Sequence, residues 1–457
     1  MAWLYTGNLP ARVMMITPLH HWISRRIGIS PAVFDRQQLE QWQFTRLLQI
    51  IEYTAQRSPF YRSQFAGLGS VASLQDFCRV PYTNAENLIA NPAAFVCVSQ
   101  EEVHRIVSLP TSGTTARAKR IFFSQADQAL TVDFFKVGMS TLATEGDRVL
   151  ILLPGERPGS VGDLLFSGLK KLGCVPIKYG PVDDEEKVLR VIREENVNVL
   201  VGAPVHLYRA ACFDYMAGIL PRGQIKAALV STDVLPAIVA ARLKAFWGCE
   251  VFDHYGMTET GLGGGVECSA HLGYHMREVD LYIEIIDPES GEALPDGEEG
   301  EVVITTLTRN AMPLVRYRTG DISHVNPGIC ECGSFIKRLA QIKRRRQGGI
   351  QIGDHQLFQN DLDEALFQID GVCDFEAYVL ASGQGKDKMK ILLRTMGTTK
   401  DVEAEVREAV TRIPGMDVLV HNDGLYIEVA EKVNTVFAKR KIVDLRPNEI
   451  LTAQASR

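Results

Sequence analysis

The first residues that could do chemistry form a loop rich in glycine, serine and threonine, residues 109–120, which closes on two basic residues. Backbone N–H groups and hydroxyls in such a loop can surround an anion, and a lysine adds positive charge. The candidate anion-binding residues are Thr111, Ser112, Gly113, Thr114, Thr115 and Lys119. The Walker pattern Gly-x4-Gly-Lys-Ser/Thr is absent, and an ordinary surface turn is the alternative interpretation.

Two further segments place an aromatic ring, hydroxyls and carboxylates in close succession. They are Asp253-His254-Tyr255-Gly256-Met257-Thr258-Glu259 and Tyr317-Arg318-Thr319-Gly320-Asp321. A tyrosine face suits a base, and a carboxylate is a hard oxygen ligand for Mg²⁺. An ionised aspartate only accepts hydrogen bonds, so it can take bonds from two hydroxyls together. A structural turn with a buried tyrosine and a simple turn aspartate are the alternatives.

Three cysteines and a histidine form a second group of candidate ligands. Cys268 and His275 precede the segment 281–306, and Cys330 and Cys332 follow it. Three sulfurs and one imidazole are a structural, tetrahedral Zn²⁺ set, so this spacing predicts a zinc site. His271 competes with His275 for the fourth position, and separate buried thiols are the alternative.

Composition and charge narrow the class of protein. The chain has 457 residues and a formal net charge of −6, with 46% hydrophobic and 23% charged residues. This length suggests two or three domains, and the acidic balance argues against nucleic-acid binding. No apolar stretch approaches the roughly 20 residues that cross a bilayer, and no signal peptide is recognised. Nine cysteines without a regular spacing predict reduced thiols in a cytoplasmic protein. The sequence leaves the oligomeric state open, and a homodimer is one of the possibilities.

The elements that must position these residues follow from the apolar periodicity. Helical spacing predicts a helix over 34–58, within a helical first hundred residues. From residue 148, apolar runs alternate with helical stretches, which predicts a layered α/β domain. The predicted strands and helices of this domain are 149–153, 164–172, a strand after Gly173, 197–201, 227–230 and 237–247.

The predicted fold class is α/β, with two domains joined by a hinge. The large amino-terminal domain covers residues 1–342, and period-two strands at 281–286 and 301–306 predict a β-rich subdomain at about 275–342. The basic run at 343–346 and the glycine pair that follows it predict the hinge. A small α+β carboxy-terminal domain at 343–457 has predicted strands near 375–380 and 389–394.

The ordered motifs resemble the phenylacetate-CoA ligase branch of the adenylate-forming (AMP-binding) superfamily over nearly the whole chain. Residues 51–62, which end in Ser-Pro-Phe-Tyr-Arg, resemble the first helix and loop of that branch. The resemblance implies that Tyr255 stacks on adenine, with Asp253 near the adenine amino group. It implies that Thr258 meets the α-phosphate and that Glu259 holds Mg²⁺. The remaining implied nucleotide contacts are Gly256, Asp321 at the ribose hydroxyls, Arg338, and Arg345 at the hinge.

The resemblance also implies a reaction in two steps. A carboxylate attacks the α-phosphate of ATP to give an acyl-AMP, and a thiol then displaces AMP to give a thioester. Lys119, the loop hydroxyls and Mg²⁺ would stabilise charge on the phosphoryl oxygens in the first step. The carboxy-terminal domain is expected to rotate about the hinge between the steps.

Three departures from the branch pattern stand out. The anion loop has Ala116 and Ala118 where relatives have glycine and proline, so a Cβ must be accommodated there. The hinge segment at 344–348 lacks the pivoting aspartate of Gly-Arg-x-Asp-Asp. The terminal segment 437–446 puts Ala438 at the position of a lysine that aids adenylation. Lys439 can substitute if the register slips by one residue, and Lys441 is the weaker alternative.

The expected function is the ATP-dependent joining of an aryl carboxylic acid to CoA through an acyl-adenylate. The glycine pair Gly264-Gly265 suggests that the acyl group passes close to the backbone. One alternative is an adenylating enzyme with a different acceptor, similar to the coenzyme F390 synthetases that transfer AMP to a hydroxyl. Another is a nucleotide-binding relative without ligase turnover. Retention of Thr258, Glu259, Asp321 and Arg345 argues against the last alternative.

Overall fold

The structure is a computed structural model that describes residues 15–109, 118–346, 348–381, 387–397, 401–421, 423–430 and 440–446. Its α-helices are α1 (Pro18–Arg26), α2 (Arg36–Arg57), α3 (Pro59–Gln64), α4 (Leu74–Phe77), α5 (Ala85–Ala90), α6 (Gln125–Met139), α7 (Val161–Leu172), α8 (Glu185–Glu194), α9 (Pro204–Ala217), α10 (Ala237–Trp247), α11 (Gln359–Leu366), α12 (Val402–Thr411) and α13 (Asp417–His421). Short 3-10 helices lie at Pro92–Phe95, Gln100–Glu102 and Thr258–Thr260.

The strands of the first 345 residues are β1 (Arg105–Leu109), β2 (Lys119–Phe123), β3 (Arg148–Ile151), β4 (Val175–Lys178), β5 (Val199–Gly202), β6 (Ala227–Val230), β7 (Glu250–Tyr255), β8 (Gly265–Glu267), β9 (Tyr274–Met276), β10 (Leu281–Ile286), β11 (Gly300–Thr306), β12 (Tyr317–Ser323), β13 (Val325–Asn326), β14 (Arg338–Leu339) and β15 (Arg344–Arg345). The later strands are β16 (Ile350–Ile352), β17 (His355–Leu357), β18 (Val372–Ala381), β19 (Asp387–Thr395), β20 (Leu425–Val429) and β21 (Val443–Asp444).

A nine-stranded mixed sheet forms the centre of the large domain, in the order β13-β14-β9-β8-β7-β6-β5-β3-β4. Strands β4, β3, β5, β6 and β7 are parallel, and the remaining strands pair antiparallel beyond β7. Both faces of β5 and β6 are buried, as their continuous apolar runs require. This layered arrangement confirms the predicted α/β class.

The predicted β-rich region is a second, four-stranded antiparallel sheet in the order β10-β11-β12-β15. Strand β10 has the bounds that the period-two pattern predicts, and β11 begins one residue earlier. Strand β15 pairs with β12, so the basic run still belongs to the sheet of the large domain at Arg345.

The carboxy-terminal part is a four-stranded sheet, β20-β19-β18-β21, with α11, α12 and α13 packed on it. One hydrophobic cluster joins it to the large domain, because Leu207 and Tyr208 of α9 share a core with Phe367 and Val379. The Tyr208 hydroxyl also donates to the carbonyl of Val372 at 3.0 Å. The two parts are therefore packed together through apolar surface in this arrangement. Among the described helices, none combines the length and apolarity needed to cross a bilayer.

Local sequence explains where the leading elements begin and end. The side chain of Asp35 caps α2 by accepting from the backbone N–H of Gln38, whose own side chain bonds back to the cap. Helix α7 ends at Gly173 with a φ of 89°, which a residue with a Cβ rarely adopts. These signals place α2 and α7 close to their predicted bounds of 34–58 and 164–172.

Candidate active site

A deep cleft opens where β6 and β7 end and the segment 342–348 begins. It has about 1220 Å³ of empty space, counted out to its open mouth. In parallel sheets, ligands bind beyond the carboxyl ends of the strands, and this cleft lies there. The sequence-predicted nucleotide contacts that line it are Asp253, Tyr255, Gly256, Asp321 and Arg345.

Asp321 lies at the centre of this cleft and is almost fully buried. One carboxylate oxygen accepts from the Tyr255 hydroxyl at 2.9 Å, and the other lies 2.9 Å from Arg345 Nε. The charge of Asp321 raises the pKa of Arg345. The predicted ribose acceptor is thus already hydrogen-bonded to two other predicted nucleotide contacts, which orient it toward the cleft.

Asp253 lies on the floor of the cleft and is held by a second tyrosine. The Tyr274 hydroxyl donates to its carboxylate at 2.6 Å, and the His254 backbone N–H donates at 2.8 Å. Burial, together with the charge of Glu267, raises the pKa of Asp253 to about 7. At neutral pH this group is therefore poised between its acidic and ionised forms, and can donate or accept a hydrogen bond. The sequence analysis assigned no role to Tyr274, and its contact with Asp253 depends on the neighbouring strands of the folded sheet.

A buried ion pair joins Lys119 on β2 to Glu259 in the 3-10 helix after β7. Tyr317 completes the group, because its hydroxyl lies 3.3 Å from both Lys119 Nζ and Glu259 Oε1. Burial alone would raise the pKa of Glu259, but the charge of Lys119 and its hydrogen bond, with smaller contributions from the backbone and Arg345, together lower this pKa. Thr258 starts the same 3-10 helix and is half-buried. The structure therefore brings together Lys119, Glu259 and Tyr317, one residue from each of three separate sequence motifs.

Three of the predicted site features do not line the cleft in the described part of the structure. The loop residues Thr111, Ser112, Gly113, Thr114 and Thr115 lie outside the described residues, as does Lys439. Arg338 lies away from the cleft on β14, beside His275, and donates to the backbone carbonyls of Leu272 and Pro327. In this arrangement the Arg338 side chain supports the sheet, and its assignment to the nucleotide contacts stays a prediction.

An apolar cavity lies against the cleft and shares His254 with it. It has about 390 Å³ of empty space including its opening, between the end of the parallel sheet and helices α6 and α7. Its apolar wall is formed by Phe134, Phe135, Leu165, Leu229 and Val266. Sequence reasoning did not identify this cavity, because its walls come from elements far apart in the chain.

The glycine pair after β7 lies close to neighbouring residues. A Cβ on Gly264 would lie 3.1 Å from the Tyr255 ring, and one on Gly265 would lie 2.6 Å from Met276 Sδ. A side chain at either position would crowd these neighbours. The apolar cavity is lined by Val266, next to Gly265, and the hypothesis that the acyl group passes close to this backbone stays a prediction.

The four predicted zinc ligands, Cys268, His275, Cys330 and Cys332, meet in one buried cluster, with their ligating atoms within 4.8 Å of one another. Cys268 Sγ lies 3.7 Å from Cys330 Sγ, and Cys332 Sγ lies 3.5 Å from His275 Nε2. A tetrahedral Zn²⁺ with ~2.3 Å bonds to sulfur needs ligand atoms about 3.8 Å apart. The donor set therefore fits zinc in both chemistry and spacing.

His271, the competing histidine, points into a different environment. Its two ring nitrogens lie 3.2 Å from Glu267 and 3.1 Å from Glu250. The hydrogen bond with Glu267 raises the pKa of His271 despite its partial burial. Both ring nitrogens of His271 thus bond to carboxylates outside the cysteine cluster, whereas His275 lies within it, which favours His275 as the fourth ligand.

Comparisons with known proteins agree with this geometry. The family model of AMP-binding enzymes matches residues 83–309. A phenylacetate-coenzyme A ligase of Pseudomonas putida is 30% identical over 76% of this chain and 79% of its own length. A phenylacetate-coenzyme A ligase of Thermus thermophilus is 28% identical over 84% of this chain and 85% of its own length. Among solved structures, a 2-hydroxyisobutyryl-CoA ligase in its postadenylation state superposes with a TM-score of 0.77 over 100% of this chain and 98% of its own, at 20% identity.

Proposed function

The chain belongs to the AMP-binding enzymes, in the family of the phenylacetate-coenzyme A ligases, and from this premise we propose that it joins an apolar aryl acid to coenzyme A. The enzyme is an AMP-forming acid–coenzyme A ligase. The observation that carries the choice of acid is the apolar cavity that shares His254 with the cleft. An acid bound there has its hydrocarbon part between Phe134 and Leu229 and its carboxylate at the cleft.

ATP is proposed to bind in the cleft, with its ribose on Asp321 and its adenine against Tyr255. The support is that Asp321 and Tyr255 are buried, fixed by mutual hydrogen bonding and turned toward one open space. Prior orientation of these groups lowers the entropic cost of binding. Asp253, at the floor of the same cleft, is the proposed partner of the adenine amino group.

The first chemical step forms a bond between a carboxylate oxygen and the α-phosphorus, and the bond from that phosphorus to pyrophosphate breaks. In the second step the sulfur of coenzyme A attacks the acyl carbon and AMP leaves with the electron pair. Lys119 supplies a buried positive charge beside the proposed phosphate region, where low polarity strengthens its effect on developing negative charge. Tyr317 and Glu259 hold the ammonium group of Lys119 in place.

Glu259 is the proposed Mg²⁺ ligand. The residues fit this ion, since Mg²⁺ binds in proteins through one or two carboxylates together with substrate phosphates and water. Bound Mg²⁺ would supply charge neutralisation at the phosphates. The cluster of Cys268, His275, Cys330 and Cys332 is the proposed Zn²⁺ site and has a structural role, because all four ligands are buried and supplied by the protein.

The carboxy-terminal domain is proposed to begin at residue 343 and to rotate between the two steps. Support for mobility comes from the segment 346–349, which follows β15 and precedes β16 without regular structure in its described residues. The buried contacts of Tyr208 and Arg209 with Val372 and Asp374 must break for such a rotation.

ATP–pyrophosphate exchange tests the proposal directly. Exchange should depend on an acid, and aryl acids should support it better than short polar acids. A matched pair at Gly138 tests the cavity, because a Cβ there would meet only Val266 Cγ1, at 3.7 Å. Gly138→Ala should be tolerated, whereas Gly138→Leu should fill the cavity and raise KM for large acids. No acid-dependent exchange with any acid, with ATP still bound, would reject the ligase function.

A further inference from the structure

The imidazole of His254 has one ring nitrogen bonded and one buried without a partner. Nδ1 lies 2.9 Å from Ser231 Oγ at the end of β6. Nε2 is buried and has no hydrogen-bond partner among the residues that the structure describes. An unsatisfied buried polar atom costs free energy that is recovered when a ligand supplies the missing bond.

The position of this imidazole is fixed by its neighbours. The rings of Phe134 and Phe135 lie 6.1 Å and 6.3 Å from it, centre to centre. A Cβ on Gly256 would lie 2.8 Å from its Cε1 atom, so the glycine leaves the room that the ring occupies. A rigid polar group between two phenyl rings can select a ligand by geometry as well as by chemistry.

The imidazole is neutral at physiological pH. Burial, reinforced by the charge of Arg277, lowers the pKa of His254 to about 4. A neutral ring carries one N–H and one bare nitrogen, and the Ser231 hydroxyl can either donate to Nδ1 or accept from it. Nε2 can therefore present either role, and a hydroxyl group is the ligand substituent that satisfies both.

We propose that His254, positioned by Ser231, selects acids that carry a hydroxyl group close to the carboxylate on an otherwise apolar body. This inference rests on the proposed function, because it assigns the acyl group to the apolar cavity. His254 lines both that cavity and the nucleotide cleft, which puts its imidazole at the junction of the two, where the carboxylate of the acid would meet the nucleotide. The deep wall of Leu153, Leu165 and Val201 offers only apolar contact.

The test compares phenylacetate with its hydroxylated forms, namely mandelate and the ortho-, meta- and para-hydroxyphenylacetates, in ATP–pyrophosphate exchange. The quantity measured is the ratio of kcat/KM for each hydroxylated acid to that for phenylacetate. The wild type should favour the α- or ortho-hydroxyl form roughly 10-fold or more, the usual gain when a buried group finds its partner. His254→Phe keeps an aromatic ring and should bring this ratio close to one.

Two further variants make the result specific. Ser231→Ala should lower the ratio in part, since it removes the group that holds Nδ1. His421→Phe makes the same substitution at an exposed histidine on α13 and should leave the ratio unchanged. If His254→Phe does not fold, the kcat/KM ratio is measured in His254→Asn, which keeps a polar amide, and is compared with the ratio of the wild type.

Three outcomes would overturn the proposal while the ligase function stands. The wild type could show no preference for any hydroxylated acid. The ratio could survive in His254→Phe. The variant could also lose activity equally toward all the acids, which would make His254 a carboxylate contact instead. By contrast, a lack of exchange with every acid would reject the ligase function itself.

Discussion

Arg345 Nε lies 2.9 Å from Asp321 Oδ1, and the two residues are also directly opposed across β12 and β15. Arg345, which belongs to the basic run of the proposed hinge, therefore binds the carboxylate that is proposed to accept from the ribose. A nucleotide that bonds to Asp321 must share this carboxylate with Arg345. If the nucleotide binds Asp321 as proposed, this ion pair would couple nucleotide binding to the position of the proposed hinge segment.

Asp321→Ala is the first prediction. The variant should bind ATP roughly 10- to 100-fold more weakly, because hydrogen bonds to a charged acceptor are each worth about 1.5–3 kcal/mol. Isothermal calorimetry with ATP and Mg²⁺ measures the effect. Tyr255→Phe is the matched control: it removes a hydroxyl bonded to the same carboxylate but keeps both the ring and the acceptor, so most affinity should remain. Equal affinity of Asp321→Ala and wild type would contradict the nucleotide assignment.

The second prediction is that purified protein contains about one Zn²⁺ per chain. Cys330→Ser should lower the zinc content and the thermal stability together, since binding energy at a structural site contributes to folding. Elemental analysis and thermal unfolding are the measurements. Cys249→Ser, another buried cysteine, and His271→Ala should both retain the metal, because neither belongs to the cluster. A folded wild type without zinc would contradict the prediction and favour the alternative, in which these cysteines are ordinary buried thiols.

The third prediction concerns a buried ion network between the two domains. Glu185 on α8 lies 2.9 Å from Arg394 and is paired with Arg209, which reaches Asp374 at 3.5 Å. Burial alone would raise the pKa of Glu185, but the Arg394 hydrogen bonds and the charge of Arg209 outweigh it and lower this pKa to about 2. A fall from 4.5 to about 2 corresponds to about 3 kcal/mol of stability at neutral pH.

Glu185→Gln should therefore lower the free energy of unfolding at pH 7 by about 3 kcal/mol or more, since it leaves buried arginines without their partner. The folded-state pKa is the lower one, so the stabilisation is complete above about pH 4.5 and is lost as the pH falls toward 2. Urea unfolding at several pH values should show wild type and variant converging in that window. Glu186→Gln, next to it on α8 in an exposed pair with Arg190, should change stability by less than about 1 kcal/mol. Parallel pH profiles for Glu185→Gln and wild type would contradict the network's role.

Local pattern was enough to predict the layered α/β fold and several element bounds. Strand β10 matches its predicted range because the period-two pattern of a strand is a local property of the sequence. Residues 253–256 of the second motif line the cleft because β7 ends there. The surroundings of the hinge segment depend on a contact between residues distant in the chain. Arg345 on β15 pairs with Asp321 on β12, and no spacing in the sequence predicts that strand pairing.

What could not be predicted depends on which strands become neighbours. The contact of His254 with Ser231 exists because β6 lies beside β7. The Arg338 side chain bonds to the backbone carbonyls of Leu272 and Pro327, contacts that its position in the motif does not predict. The choice of His275 over His271 needed the positions of Glu250 and Glu267. Each of these is a tertiary contact that local spacing does not specify.

The fourth prediction concerns the terminal lysine that aids adenylation. If Lys439 fills this role, its cation lowers the cost of bringing the carboxylate and the α-phosphate together. Lys439→Ala should then reduce acid-dependent pyrophosphate exchange by roughly 10²-fold or more, as loss of one preorganised charge contact does. Transfer from a preformed acyl-adenylate to coenzyme A should be spared, because that step no longer joins two anions.

Lys441 is the matched comparison, since it lines the cleft in this arrangement, whereas Lys439 lies outside the described residues. Arg440 between them is held by Asp363 at 2.6 Å and by the carbonyl of Phe375 at 3.0 Å, so it is not free to act as the donor. Exchange and transfer should be measured for Lys439→Ala and Lys441→Ala side by side. Loss of exchange only in Lys441→Ala would move the role to that residue. Full activity of both variants would mean that adenylation proceeds here without a terminal lysine.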